Sequence, residues 1–292
     1  MSSADCTRLL HFFTAPSGIP ISTVGPGIFR HALSNSRNRR ALTRVKLLFS
    51  MAVIALLLWI LLPAIAHYQE RNRVRVHCAN KLKNIGFAFR DFATDNNDAF
   101  PQQLSTNQGG VRELVDSGLG GTGDPTRTFW IFVAMSNNLA TPKTLVCPYD
   151  KHRAPISNFI GMVRVPLAQG GQNAALSYFV NLDANERQPQ AILAGDRNLS
   201  PVSNAKRASD YDAFFSVERR IRPANVKPGG IYANLDFHQT IHGDKKTGLR
   251  VGNMLLADGS VRPVTGTRVC DHIIVSTNDH RLIFPFMPGK NE

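Results

Sequence analysis

The stretch that decides the fold is LLFSMAVIALLLWILLPAIA, Leu47–Ala66, twenty residues without a charge and with Ser50 as the sole hydroxyl. At about 1.5 Å per helical residue it spans the roughly 30 Å hydrocarbon core of a bilayer. A helix satisfies its own backbone hydrogen bonds in lipid, and this one lacks the polar face of a buried helix in a soluble protein. The chain therefore divides into a basic leader (1–46), a transmembrane helix (47–66) and a large domain (67–292). The leader carries Arg8, Arg30, Arg37, Arg39, Arg40, Arg44 and Lys46 against Asp5. Arg71, Arg73, Arg75, Lys81 and Lys83 follow the apolar run.

Much of the net charge of +13 thus hugs both ends of the spanning helix, the pattern of lipid head-group contact. No zinc-finger spacing or aromatic RNA-binding signature accompanies it, so the partner is a bilayer and not nucleic acid. Lys/Arg counts close to the two ends are equal, so the charge leaves the orientation open. Ala64-Ile65-Ala66 offers a signal-peptidase site, but the long leader and long apolar run favour an uncleaved anchor.

Beyond Pro63, Cys78, Leu82, Ile85, Phe89 and Phe92 recur at spacings of four, three, four and three. That stripe predicts an amphipathic continuation of the anchor, one helix from about Lys46 to Thr94, closed by Asn96-Asn97-Asp98 and Phe100-Pro101. The continuation (67–95) would dock a globular head through Leu82, Ile85, Phe89 and Phe92. The remainder predicts α+β architecture. Helical segments fall at Gly110–Ser117, at Pro125–Asn138 with Asp124 as N-cap, and at Thr265–Thr277. Strands fall at Thr144–Cys147, Leu176–Asn181, Ala191–Ala194, Ile231–Phe237, Asn253–Ala257 and Ser260–Val264, with Arg281–Pro285 as a final edge strand. Asp258-Gly259 predicts a tight hairpin with a type I′ turn.

Several of these segments match a known pattern. LLPAIA leading into CANKLKNIGFAFRDFATDNNDAFP, ATPKTLVCPYD at Ala140–Asp150, LSYFVNLDANERQPQAILAGDRN at Leu176–Asn198 and GNMLLADGSV at Gly252–Val261 lie in one order along the chain. In these the chain resembles bacterial prepilin-like proteins of the type II secretion pseudopilin class, in a branch with a C-terminal Asp-Gly signature. The resemblance implies a long N-terminal helix, half in the inner membrane, packed on a small, mostly antiparallel β-sheet domain of pilin-like fold. It implies a cytoplasmic leader, an extracytoplasmic head, and association with other pilin-like subunits through the transmembrane helix. The expected role is non-enzymatic: assembly or substrate contact in a type II secretion or type IV pilus-like system; the alternatives are a membrane-anchored extracytoplasmic metal-dependent enzyme or a ligand-binding module. One departure matters. Near the usual cleavage point stands Ala41-Leu42, and Lys46 occupies the place of the acid that pairs with a neighbouring amine. A lysine has the wrong sign, which favours a permanent anchor over filament entry.

Chemistry is sparse. Asp236, His238 and His242 in DFHQTIHGD form a candidate metal set for an anchored hydrolytic enzyme, or else lie in an exposed loop. Asp183, Asp196 and Asp258 are candidate calcium ligands without EF-hand spacing, and turn-forming roles explain them equally well. Asp258 and Gly259 are assigned a structural role. Of the four cysteines, Cys78 and Cys147 can pair across the helix–sheet boundary in an oxidising compartment; the alternative is that each is a small buried hydrophobe. No nucleophile motif such as Gly-x-Ser-x-Gly occurs, so neither a catalytic set nor an organic cofactor is expected.

Overall fold

A computed structural model describes residues 37–117, 123–201, 219–228, 235–237, 241–242, 250–265, 268–276 and 279–285. By internal contacts the chain divides into Met1–Trp59 and Ile60–Glu292. Helix α1, Arg37–Asp95, runs through both and continues through Pro63. Within it Arg44–Leu62 is long and apolar enough to cross a membrane, and none of that stretch is buried. Its large side chains, such as Phe49 (71 % exposed) and Trp59 (76 %), stand free of protein. Ser50 donates its hydroxyl hydrogen to the Leu47 carbonyl at 2.9 Å, so the sole hydroxyl of Leu47–Ala66 is satisfied within the helix. The helix starts at Arg37, inside the basic leader.

In the second unit, the stripe becomes core. Cys78, Leu82, Ile85, Phe89 and Phe92 are buried, joined by Ala88 and Ala93. Phe89 meets Phe100 and Phe132 edge-on, with ring centroids 5.5 and 6.3 Å away. Asn97 and Asp98 end α1 in the left-handed region (φ 54° and 60°), and the Asp98 N–H caps the Ala93 carbonyl at 2.9 Å.

Short helices follow: α2 Arg112–Val115, α3 Phe129–Ala134, α4 Ser136–Leu139, α5 Phe159–Arg164, α6 Pro223–Val226 and α7 Arg268–Ser276. The strands are β1 Tyr178–Asn181, β2 Ile192–Asp196, β3 Leu199–Pro201, β4 Arg219–Ile221, β5 Leu235–Phe237, β6 Val251–Leu256, β7 Val261–Thr265 and β8 His280–Ile283. Six of them form one sheet in the order β4–β8–β1–β2–β6–β7, and β3 pairs with β5. Every pairing is antiparallel. The architecture is therefore α+β, with an apolar N-terminal helix and an antiparallel sheet.

The two faces of the sheet carry separate cores. Tyr178, Val180, Ala194 and Leu255 pack in one cluster with the α1 stripe. Phe179, Ile192, Met254 and Leu256 form the other, with Val269 and Ile273 of α7 and Leu235 and Phe237 of β5. Alternation along the strands divides the side chains between them. Close packing shows at Gly252, where a Cβ would collide with the Phe237 ring.

Four local expectations are corrected. Thr144–Cys147 is not a strand: Pro142–Leu145 is a 3₁₀ turn begun by Thr141, whose hydroxyl accepts the Lys143 N–H. The helix expected from Pro125 begins at Phe129; Asp124 Oδ1 instead accepts the Thr126 N–H in an Asx turn. The Asp258-Gly259 turn is not type I′, because only Gly259 has positive φ (82°). The Gly259 N–H reaches the Leu256 carbonyl and Leu256 N–H the Ser260 carbonyl, a three-residue loop with glycine at the left-handed position. The last strand, β8, lies between β4 and β1 and is not an edge.

Candidate functional site

The site is assembled where α1 meets the sheet. Cys78 on α1 is disulfide-bonded to Cys147, across 69 residues of chain. One helical turn on, Lys81 Nζ donates to the Lys143 and Val146 carbonyls at 2.8 and 2.7 Å, and partial burial lowers its pKa. A covalent and an ionic hook thus fix the same segment, TPKTLVCPYD, to one stretch of helix. The far side of that segment is fastened to the sheet. Ser177 Oγ accepts the Cys147 N–H at 3.0 Å, and Asp150 accepts both Nε (2.7 Å) and Nη2 (2.8 Å) of Arg197. Burial pushes the Asp150 carboxyl upward, but the Arg197 fork outweighs it and holds the group below its usual value.

Over this junction lies His242. Its Nε2 is 3.2 Å from Asp196 Oδ2 and 3.7 Å from Cys147 Sγ, and both His242 and Asp196 side chains are fully buried. Asp196, at the end of β2 opposite Tyr178, receives on Oδ2 the Asn253 N–H at 2.6 Å and its Nδ2–H at 3.1 Å. Asp196 Oδ1, His242 Nδ1, the Tyr178 hydroxyl and Asn253 Oδ1 find no hydrogen-bond partner among the described residues. Burial, followed by the Asp196 and Asp150 charges, raises the Tyr178 pKa well above its usual value and keeps it a neutral phenol.

This arrangement is not a proton relay. A Cys–His–Asp relay uses both imidazole nitrogens, one for the sulfur and the other for the acid. Here sulfur and carboxylate converge on the same nitrogen, Nε2. A second trio, Ser276, His280 and Asn181, fails the same way. Asn181 Nδ2 donates to the Ile192 carbonyl and faces His280 Nδ1, each at 2.8 Å, so Nδ1 is the acceptor. The ring hydrogen then sits on Nε2, 2.6 Å from Ser276 Oγ, which itself donates to the Ile273 carbonyl. That imidazole cannot take a proton from Ser276. Burial lowers its pKa to about 4.

The sequence-derived candidates are distributed as follows. Cys78, Cys147 and His242 come together, their ligand atoms within 4.8 Å of one another. His238 lies outside the described residues. Asp236 sits in β5, where its carboxylate takes the Phe237 N–H and faces Arg250 at 3.9 Å; burial raises its pKa. Its contacts are with Phe237 and Arg250, whereas those of His242 are with Asp196 and Cys147. The exposed-loop alternative for His242 is corrected, because the residue is buried. Asp183 is bound by Arg281 Nε (2.7 Å), Asp196 by Asn253, and Asp258 Oδ1 by the Ser260 N–H (2.8 Å), so the proposed calcium carboxylates do not converge. Tyr178, Asn253, Asp150 and Arg197 lie in the segments that carry the resemblance, but no local pattern there pairs them or gives them a role.

No protein-family model, no curated protein and no solved structure matches this chain.

Proposed function

We propose that the chain is a single-pass membrane protein whose head is held outside the cytoplasm, in the manner of a pseudopilin. The observation that carries this reading is α1. One helix has an unburied apolar stretch at Arg44–Leu62 and, from Cys78 to Phe92, a stripe sunk into the core of an α+β domain. A helix that is apolar all round and meets no protein needs lipid or another such helix. The Cys78–Cys147 disulfide supports an oxidising compartment for the head; a cytoplasmic leader and a bacterial inner membrane complete this reading. The work of such a protein is assembly or substrate contact in a type II secretion or pilus-like system, with other apolar helices as partners.

The test is fractionation with topology mapping. Full-length protein should stay with alkali-washed membranes, and deletion of 47–62 should release it. Protease added outside spheroplasts should digest the head and spare the leader. Release of the intact chain by alkali, or protection of the head, would overturn the reading.

The rival, an anchored metal-dependent hydrolase using Asp236, His238 and His242, makes a distinct prediction: turnover lost with His242→Ala.

A further inference from the structure

We infer that the disulfide site has a second state, in which Cys78, Cys147 and His242 bind one zinc ion after the sulfur–sulfur bond is opened, with the fourth position left to water. The inference stands on the buried cluster itself and not on the membrane reading. Zinc takes thiolate sulfur at about 2.3 Å and imidazole nitrogen or carboxylate oxygen at about 2.0–2.2 Å, in a tetrahedron. Those lengths imply a sulfur–nitrogen edge of about 3.6 Å. Cys147 Sγ lies 3.7 Å from His242 Nε2. The sulfur–nitrogen edge is therefore already present, and the ligand atoms of Cys78, Cys147 and His242 all lie within 4.8 Å of one another. The sulfur–sulfur edge is closed by a covalent bond.

The outer contacts suit the same assignment. A metal on Nε2 requires the ring hydrogen on Nδ1, and Nδ1 has no partner among the described residues to oppose it. Asn253 grips Asp196 Oδ2 through its N–H and its Nδ2–H, which holds the carboxylate 3.2 Å from the imidazole nitrogen that would carry the metal. Soft thiolate and imidazole select zinc or cobalt over calcium, which needs six to eight oxygens.

The chemistry balances with a water-soluble phosphine as the reductant. The phosphine takes oxygen from water to become the phosphine oxide, giving two electrons and two hydrogens to the disulfide, which becomes two thiols. Zinc binding then displaces those two thiol protons.

Full-length chain in detergent, reduced with phosphine without oxygen, is titrated with cobalt(II), whose tetrahedral thiolate complexes absorb in the visible. One cobalt per chain is expected, with bands absent from the oxidised protein and from Cys147→Ser. In His242→Ala and in Asn253→Ala, affinity should fall about 10–100-fold, and added zinc should bleach the colour. Colourless reduced protein would overturn the inference. So would bands that survive both Cys147→Ser and His242→Ala, which would assign them to Cys6 or to the buried Cys270. Loss of the native circular dichroism on reduction, without recovery in zinc, would overturn it equally.

Discussion

Replacing Phe89 with Ala should remove the largest single contribution of α1 to the domain core. The ring is fully buried and touches Phe100 and Phe132 edge-on at centroid distances of 5.5 and 6.3 Å. Phe→Ala in such a site costs about 3–5 kcal/mol, and each lost edge contact accounts for roughly 0.5–1.5 kcal/mol beyond area, which points to the upper half of that range. For a domain of this size that is a fall of about 6–20 °C in Tm. The control lies two residues away on the same helix. Phe87 is 57 % exposed, with the Lys83 ammonium 5.9 Å from its ring centroid. Phe87→Ala should change stability by no more than about 1 kcal/mol. Thermal melts of both full-length variants in one detergent, followed by near-ultraviolet circular dichroism with the disulfide intact, make the comparison. Equal losses, or a Phe89→Ala loss below about 1 kcal/mol, would refute the docking of the stripe in the core.

Three further outcomes follow from the same geometry. Removing the disulfide by Cys78→Ser with Cys147→Ser frees a 69-residue separation in the unfolded chain, which should lower stability by about 4 kcal/mol in denaturant titration. Arg197→Ala strands the Asp150 carboxylate in a buried site at a cost of about 3–5 kcal/mol; Asp150→Asn in the same chain should recover part of it, and no recovery would deny the coupling. His280 is neutral in the fold, with its pKa lowered from 6.5 to about 4, so the unfolded chain takes up the proton first as pH falls. Stability is therefore full above pH 6.5 and declines by about 3 kcal/mol toward pH 4. His280→Gln should flatten that part of the urea-midpoint profile, and an unchanged slope would show the proton going elsewhere.

Much of the chain's plan was legible in its residues because the signals are local. Twenty uncharged residues define the apolar segment, and a four-three-four-three spacing marks the buried face of α1 from Cys78 to Phe92. Asp258-Gly259 announces the hairpin, although its turn type depends on how many residues the flanking strands leave unpaired, which the dipeptide does not encode. Cys78 and Cys147 could be matched because cysteines have few possible partners.

The sequence by itself determined the apolar helix, its amphipathic continuation and the α+β class, since each follows from periodicity along a few turns or strands. Only the tertiary structure decided that β8 lies inside the sheet, that His242 is buried against Asp196 and the disulfide, and that Asp150 meets Arg197. These contacts join groups far apart in the chain, 46 residues for Asp196 and His242 and 47 for Asp150 and Arg197. Neither a period of two nor one of 3.6 carries information over such distances.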